Sequence, residues 1–366
     1  MRIAIFCRSL TGVLGGMEKQ LLGIAKGFLE EGHEVYVITL DNGKIKPFFE
    51  FDPRLKFLSI NIGNSLIKAS LTQRVKRQKR VFHLLKKNHI CVAICFMTGA
   101  FWYSVLPARL LRIPVVLAER NGPSIYYKTR IRKIRWIVFL SMNLSNVITV
   151  QFDSFVKKYP IYLRKKVRVI SNEIPILDNI SQSKSKNLRY LFAGRFTNQK
   201  QVRELIYAFV KFHQEYPNSE LTLFGEGELH KEIQLYLERG QFKNFIKIKS
   251  PTTLIASAFN DSDVLIAPSL WEGFPNIVAE SLASGLPVGG FNDCEGVRDL
   301  VVNGNNGWLI ERTHPIQSLV LLLKIIYADQ NKLSYLSINA KASVIKFQTN
   351  ESYKKWNKLI YNLAKK

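Results

Sequence analysis

Two glutamates, Glu272 and Glu280, stand eight residues apart and enclose a Gly-Phe-Pro-Asn turn. An apolar run at 264–267 predicts a buried strand before them, so we expect the chain to leave that strand through a loop and enter a helix at about Asn276. Pro275 suits the first helical position, because its missing N–H is not needed there. The spacing therefore predicts one carboxylate above a helix N-terminus and the other one turn inside the helix.

A segment of this kind can bind a ligand that carries both an anion and hydroxyl groups. The backbone N–H groups of Phe274, Asn276 and Ile277 are expected to point along the helix axis, where they and the helix dipole bind phosphate oxygens. Carboxylates accept hydrogen bonds from hydroxyl groups. A nucleotide sugar offers both partners, whereas a surface turn followed by a core helix with two solvated glutamates is the alternative that the short spacing leaves open.

Basic residues stand in a loop after another predicted strand, at 188–193. Gly194 and Arg195 begin this loop, and Lys200 ends it before a predicted helix at 201–216. A guanidinium and an ammonium so placed would neutralise a diphosphate leaving group, whose negative charge grows as the bond to it breaks. Two basic loop residues are also commonly solvated, so the pattern alone fits both a ligand site and a plain surface loop.

The whole stretch 268–288 resembles the Glu-x7-Glu signature of the retaining GT-B glycosyltransferases, specifically the family-four group that builds lipopolysaccharide, capsule and exopolysaccharide. Elements similar to that family follow one another in family order from Gly15 to about Ile310. The resemblance implies that Glu280 holds the ribose hydroxyls of a nucleotide-sugar donor and that Glu272 contacts sugar hydroxyls near the reaction centre. It also implies donor contacts along the intervening residues, at Gly273, Phe274, Pro275, Asn276 and Ile277.

The loop at 194–200 resembles the family's Gly-Arg…Lys pattern, which implies that Arg195 and Lys200 stabilise the donor diphosphate. Together with Glu272 they form the predicted catalytic set. Gln201 follows the lysine where a glycine is common in the family, so the loop departs from the pattern while it keeps both charges.

Glycine-rich turns supply further candidates for donor binding. Gly15, Gly16 and Glu18 resemble the family's Gly-Gly-x-Glu element, whose glycines approach the donor diphosphate and the acceptor. Gly225, in the segment Phe-Gly-Glu-Gly-Glu, resembles the family's Gly-x-Gly turn near the nucleotide. A tight structural turn accounts equally well for the glycines at 15–16 and for Gly225.

The segment Glu-Arg-Asn-Gly-Pro at 119–123 ends a predicted strand and resembles the Glu-Arg-Asn-Asp-Pro form of a subgroup of the family. Arg120 and Asn121 are therefore candidates to hydrogen-bond the sugar or the acceptor, although Arg120 could equally have a structural role. Many family members place a histidine near this point, beside the sugar. Since this chain has none there, we assign no side-chain general base.

No metal and no other cofactor is expected. Asp261 and Asp263 imitate the metal-binding Asp-x-Asp of another glycosyltransferase fold, but they stand between a predicted helix and a buried strand, where aspartate commonly ends a turn. Two carboxylates alone also make a poor site for a divalent cation. The four cysteines form no Cys-x-x-Cys pair and are interpreted as thiols in a reducing cytoplasm.

The net charge of +25 is concentrated in the first half of the chain. Residues 1–180 hold 30 Lys/Arg and 11 Asp/Glu, a net of +19, whereas 181–366 hold 23 and 17, a net of +6. Basic clusters at 74–87 and 128–135, the first interleaved with apolar residues, favour contact with an anionic membrane surface. Nucleic acid would also match the positive charge. The sequence contains no nucleic-acid-binding motif, so we do not expect the protein to bind nucleic acid. A solvated basic face is the other alternative.

Strand-like and helix-like segments alternate in both halves, which predicts an α/β protein with parallel sheets. The expected fold class is GT-B, with two Rossmann-like domains facing each other across a deep cleft, where ligands of such folds bind. We expect an acceptor domain at 1–175, a linker at 176–187 and a nucleotide-sugar domain at 188–350. The segment 351–366 is expected to form a helix that crosses back to the first domain.

The expected activity is that of a retaining, metal-independent glycosyltransferase. It would move a sugar from a nucleotide-diphosphate sugar, with UDP favoured over GDP, to a lipid-diphosphate-linked saccharide or another glycan acceptor. No signal peptide or membrane-spanning run is visible, so we expect a cytoplasmic protein held peripherally on the inner face of the plasma membrane. Two alternatives stay open: a nucleotide-sugar 2-epimerase of the same fold, and a non-enzymatic binder of anionic polymer or membrane.

Overall fold

The computed structural model describes residues 1–11, 15–42, 45–63, 69–176, 186–251, 255–348 and 350–365. Contacts between residues divide the chain into two units, Met1–Glu173 with Asn350–Lys366, and Ile174–Thr349. Most of the predicted linker at 176–187 lies outside the described residues. Each unit is an α/β layer structure around a parallel sheet, which confirms the predicted Rossmann-like class of the two units.

The first unit is built on a seven-stranded parallel sheet in the order β3-β2-β1-β4-β5-β6-β7. Its strands are β1 (Arg2–Phe6), β2 (Glu34–Thr39), β3 (Lys56–Ser59), β4 (Val92–Phe96), β5 (Val115–Ala118), β6 (Val147–Val150) and β7 (Val167–Val169). The helices between them are α1 (Gly16–Glu30), α2 (Leu71–Lys87), α3 (Met97–Leu110), α4 (Ile125–Lys128), α5 (Arg135–Met142), α6 (Asp153–Val156) and α7 (Ile161–Arg164). Strands β4 and β5 are buried along their whole length, which is why each is an unbroken apolar run in the sequence.

The second unit contains a six-stranded parallel sheet in the order β10-β9-β8-β11-β12-β13. Its strands are β8 (Leu188–Ala193), β9 (Ser219–Phe224), β10 (Ile246–Lys249), β11 (Val264–Ala267), β12 (Val288–Phe291) and β13 (Gly307–Ile310). Its helices are α8 (Val202–Glu215), α9 (His230–Arg239), α10 (Ile255–Asn260), α11 (Asn276–Ser284), α12 (Glu295–Arg298), α13 (Pro315–Ala328) and α14 (Leu333–Val344). Strand β8 pairs with both β9 and β11, so the strand order reverses beside it. In open parallel sheets the carboxyl ends of the strands at such a reversal form a ligand crevice.

Helix α8 shows how the spacing of apolar residues sets these layers. Its buried side chains recur every three to four positions, so that one face packs on the sheet. They include Val202, Leu205, Ile206, Phe209 and Phe212. None of the helices in the described ranges is both long and apolar enough to cross a membrane.

Helix α15 (Glu351–Ala364) belongs to the first unit, although the whole second unit separates it in sequence from the other elements there. Trp356 is 1% exposed and lies edge-on to Phe28 of α1, with the ring centroids 6.4 Å apart. Ile360 is fully buried in the same core. The helix therefore completes the apolar layer that covers α1.

Candidate functional site

Two loops meet at the carboxyl edge of the second unit's sheet, beside the reversal of strand order. One follows β8 and ends in a 3₁₀ turn at Asn198–Lys200, and the other follows β11. The N–H of Leu270 donates to the carbonyl oxygen of Gln199 at 2.9 Å, and the Gln199 amide donates to the carbonyl oxygen of Trp271 at 2.8 Å. These two bonds fix the register between the loops.

Lys200 and Glu272 form an ion pair at this junction. Lys200 Nζ lies 2.5 Å from Glu272 Oε1, and the side chains are 16% and 12% exposed. The structure thus brings together two predicted site residues that are 72 positions apart in sequence. Because a phosphate oxygen can replace a carboxylate oxygen beside an ammonium, the pair offers a cation to an anionic ligand and a carboxylate to hydroxyl groups.

A small cavity of about 10 Å³, room for about one water molecule, adjoins this ion pair and the first turn of α11. Its polar lining comes from Lys200, Glu272 and Ser269, and the other walls are apolar. Pro275 and Ile277 are among those apolar walls. Four of the predicted site residues therefore line one pocket.

Helix α11 begins at Asn276, and Pro275 is its N-cap residue rather than its first helical residue, so that detail of the prediction is wrong. The carbonyl oxygen of Pro275 accepts bonds from the N–H groups of Val278 at 2.9 Å and Ala279 at 3.1 Å, while its own ψ of 91° stays outside the helical range. Gly285 ends the helix with φ 87°, a left-handed conformation that favours glycine. The N–H groups of the first turn point along the axis, as an anion site requires.

The remaining residues of this segment are more enclosed. Glu280 lies one turn inside α11 and is 7% exposed. The Phe274 ring packs edge-on against Phe347, with centroids 5.3 Å apart, so a donor contact at this position would come from the backbone. Asn276 and Gly273 complete the predicted set, and contacts of these residues with a donor stay predictions.

The loop that carries Arg195 packs against the turn after β9. The N–H of Gly194 donates to the carbonyl oxygen of Phe224 at 2.9 Å. A Cβ at Gly225 would lie 1.9 Å from the Gly194 carbonyl oxygen, so packing alone requires glycine at this turn. Arg195 itself is exposed, and its contact with a diphosphate stays a prediction.

Three residues near the pocket are not among the predicted site residues. A Cβ at Gly296 would lie 2.2 Å from the carbonyl oxygen of Gly273, so α12 can approach the loop after β11 only with glycine there. Burial raises the pKa of the Cys294 thiol to about 12, and the nearby negative charge of Glu272 adds to this effect. Arg312, with a side chain 8% exposed, donates to main-chain oxygens of the loop after β11. No short motif marks these residues, because each contacts a segment distant in sequence.

The predicted Gly-Gly-x-Glu residues lie at the start of α1 in the first unit. Gly15 is the N-cap residue, and Gly16 opens the helix. A Cβ at Gly15 would lie 2.2 Å from Glu18 Oε2, so the Glu18 carboxylate folds back over the helix N-terminus, where the dipole favours a negative charge. Donor or acceptor contacts of Gly15, Gly16 and Glu18 stay predictions.

Arg120 and Asn121 follow β5, also in the first unit. The Arg120 guanidinium carbon lies 5.1 Å from the ring centroid of Phe96 and 5.5 Å from that of Trp356, and Nη1 donates to Asn172 Oδ1 at 3.0 Å. Burial lowers the pKa of Arg120 to about 10. These contacts join the end of β5 to α15, and a contact of either residue with sugar or acceptor stays a prediction.

The Asp-x-Asp segment has a structural partner. Asp263 Oδ1 lies 2.8 Å from Arg189 Nη2, and Asp263 Oδ2 accepts from the Arg189 backbone N–H at 2.8 Å. The pair joins the amino ends of β8 and β11. Within the described ranges, no three His, Cys, Asp or Glu side chains are grouped as metal ligands, and metal independence stays a prediction.

Two family models match the chain, Glycosyltransferase Family 4 at residues 14–176 and Glycosyl transferases group 1 at residues 173–343. A GalNAc-alpha-(1->4)-GalNAc-alpha-(1->3)-diNAcBac-PP-undecaprenol alpha-1,4-N-acetyl-D-galactosaminyltransferase of Campylobacter jejuni is 23% identical over 98% of each chain. An uncharacterized glycosyltransferase of Haemophilus influenzae is 22% identical over 94% of this chain and 95% of its own length. The crystal structure of the pneumococcal O-GlcNAc transferase GtfA in complex with UDP and GlcNAc covers 99% of each chain with a TM-score of 0.80 and 14% identity.

Proposed function

Because this chain belongs to the family-four group of GT-B glycosyltransferases, we propose that it transfers a sugar from a nucleotide-diphosphate sugar to a lipid-diphosphate-linked saccharide, with retention of configuration and without a metal ion. The product class is cell-surface polysaccharide: lipopolysaccharide, capsule or exopolysaccharide. The Lys200–Glu272 pair at the N-terminal end of α11 carries the proposal. A cation, a carboxylate and a helix N-terminus side by side offer the groups that bind a diphosphate joined to a sugar.

In the proposed reaction the donor diphosphate replaces Glu272 as the partner of Lys200. Glu272 can then accept hydrogen bonds from sugar hydroxyls, and Glu280 accepts those of the ribose. Negative charge grows on the diphosphate as the glycosidic bond breaks, so its contacts with Lys200, Arg195 and the first turn of α11 strengthen toward the transition state. These groups neutralise the leaving group without a metal ion.

Retention follows if the acceptor hydroxyl attacks from the face that the diphosphate leaves. The new bond joins the acceptor oxygen to the anomeric carbon, the bond from that carbon to the phosphate oxygen breaks, and a phosphate oxygen takes the hydroxyl proton. This route needs no side-chain base, which suits a chain without histidine near Asn121.

UDP-sugars are the favoured donors, because the pneumococcal structure that resembles this chain along almost its whole length is a complex with UDP and GlcNAc. The acceptor class is supported by the Campylobacter relative, whose name specifies an undecaprenol-PP-linked saccharide. A lipid-linked acceptor requires the enzyme to work at a membrane surface.

One face of the first unit suits an anionic membrane surface. The connections β3–β4, β4–β5 and β5–β6 run in one direction across the sheet, so right-handed crossovers place α2, α3 and α5 on the same face. These helices expose large apolar side chains, namely Leu71, Val75, Trp102, Leu106, Leu110, Trp136 and Leu140. Exposed basic residues stand among them, including Arg74, Arg80, Arg109 and Arg135. Exposed apolar side chains with basic residues beside them bind anionic bilayers. This supports a peripheral position of the enzyme on the cytoplasmic face of the plasma membrane.

Helix α2 contributes less to this face than its sequence suggested. Val81, Leu84 and Leu85 are buried in the first unit, and the buried Arg77 donates through Nε to the carbonyl oxygen of Ile62 at 2.9 Å. The apolar stripe of α2 therefore packs on the protein. The exposed apolar groups come from the start of α2 and from α3 and α5.

A thermal-shift screen against UDP, GDP, ADP and their common sugars tests the donor site. A ligand that binds only the native state raises the Tm according to its affinity and concentration. One nucleotide should raise the Tm, and Glu280→Ala should abolish that shift. Lys243→Ala, at an exposed ion pair with side chains 57% and 41% exposed, should keep it. Absence of a shift with every nucleotide, in folded protein, would overturn the donor assignment and favour a binder of anionic polymer.

A further inference from the structure

Gln201 has a backbone conformation that glycine adopts more readily. Its φ of 48° and ψ of 36° lie in the left-handed region, which other residues seldom occupy. The residue is 5% exposed and links the 3₁₀ turn that ends at Lys200 to helix α8. Its side-chain oxygen accepts a hydrogen bond from Arg312 Nη1, a contact that glycine could not make.

Arg312 follows β13 and lies where the loops after β8, β11 and β12 converge. Nη1 donates to the carbonyl oxygen of Pro268 at 3.0 Å, and Nη2 donates to that of Ser269 at 2.6 Å. Nε lies 3.0 Å from Asp293 Oδ1, and the guanidinium carbon is 3.8 Å from the ring centroid of Phe291. All three guanidinium nitrogens contact the protein and the side chain is 8% exposed, which favours a role for Arg312 in holding these loops over direct contact with a ligand.

These contacts hold the two segments that carry the charged site residues. Gln201 directly follows Lys200, and Ser269 stands three residues before Glu272. Movement of either segment would change where the Lys200 ammonium lies, and a displacement of about 1 Å is enough to weaken a hydrogen bond severely.

We propose that Gln201 and Arg312 are positioning residues that hold Lys200 in place for the donor diphosphate. The inference rests on the proposed function, in which Lys200 binds that diphosphate. It accounts for a glutamine where the backbone favours glycine, since the side chain couples the Lys200 loop to the buried guanidinium.

The test compares the Kd of UDP with the Kd of uridine, measured by isothermal titration calorimetry. The ratio reports the binding that the diphosphate adds, because the nucleoside is common to both ligands. Arg312→Lys keeps the charge but loses the planar fork, and Gln201→Gly keeps the backbone conformation but loses the side-chain acceptor. Each should weaken UDP binding about tenfold and leave uridine binding within about twofold. In a Lys200→Ala background, Arg312→Lys should add less than about twofold, because its effect passes through Lys200.

Arg189→Lys is the matched control. Arg189 also holds a carboxylate within the second unit, with a side chain 15% exposed, but it lies at the amino ends of the strands. This variant should lower the Tm and leave both Kd values unchanged, as expected of a purely structural guanidinium.

Two results would overturn the positioning role. One is an unchanged ratio of Kd values in folded Gln201→Gly, a variant that relieves the backbone conformation and so is expected to fold. The other is an Arg312→Lys effect of full size in the Lys200→Ala background. If the wild-type protein binds no nucleoside diphosphate at all, the proposed function fails and this inference fails with it.

Discussion

Replacing Lys200 with alanine should decrease turnover strongly. The ammonium lies 2.5 Å from Glu272 Oε1, in a site where the two side chains are 16% and 12% exposed. At an effective dielectric constant of about 20, a cation about 4 Å from a developing negative charge stabilises it by about 4 kcal/mol. Loss of one such contact typically costs about 3–4 kcal/mol, which corresponds to a decrease in kcat of order a hundred- to a thousand-fold.

The same substitution should also lower the free energy of unfolding, because it leaves the Glu272 carboxylate largely buried without its cation. Breaking a fully buried pair costs about 3–5 kcal/mol, and the residual exposure of this pair reduces the cost to about 2–3 kcal/mol. Lys200→Met combined with Glu272→Gln removes both charges at similar volume. The double variant should therefore recover most of the stability while turnover stays low.

Initial rates at saturating nucleotide sugar, together with urea unfolding, separate these two effects. Lys243→Ala is the matched control, because its pair with Glu238 is exposed and should contribute little to stability and nothing to the rate. Near-normal turnover in folded Lys200→Ala would refute the proposal that the Lys200 ammonium stabilises the diphosphate leaving group.

Two further outcomes are expected. Gly296→Ala should weaken UDP binding and cost about 1–3 kcal/mol of stability, because the new Cβ would lie 2.2 Å from the Gly273 carbonyl oxygen. UDP affinity by calorimetry and stability by urea unfolding are compared with those of Gly99→Ala, whose Cβ would meet nothing within 4 Å. Equal UDP affinity in the two variants would contradict the prediction. Burial raises the pKa of Glu173 from 4.5 to about 7. Between these pH values the folded protein keeps a proton that the unfolded chain releases. The free energy of unfolding should therefore fall as the pH rises from about 4.5 to 7. Glu173→Gln should flatten that dependence in urea midpoints at pH 5 and pH 8, and an unchanged slope would show that another group is responsible.

Most strands could be predicted from the sequence because central strands of a parallel sheet are buried on both faces. Runs such as Val92–Phe96 then contain only apolar residues, and the strands predicted at 188–193 and 264–267 coincide with β8 and β11. Strand β3 (Lys56–Ser59) was missed. It is an edge strand with an exposed lysine and three half-buried residues, which gives neither an apolar run nor a regular alternation.

Local patterns also identified residues that the structure gathers at one pocket, since loops after parallel strands share one edge of the sheet. They placed Lys200 and Glu272 on separate loops but did not indicate that the two side chains pair. The contact of Arg312 with Gln201 was beyond prediction for the same reason. A pairing between distant segments depends on how the loops pack, and no short stretch of sequence contains that information.

Helix α15 has a consequence for the order in which the protein is completed on the ribosome. The core of the first unit includes Trp356 and Ile360, yet residues 174–349 are synthesised between these side chains and the seven strands. Domains fold as units while the chain emerges from the ribosome. The second unit is continuous in sequence and can therefore complete its fold before the first unit does. Until Trp356 emerges from the ribosome, the apolar surface around Phe28 stays exposed to solvent. A chain that stops before Trp356 would therefore keep this apolar surface exposed, and such surface favours aggregation.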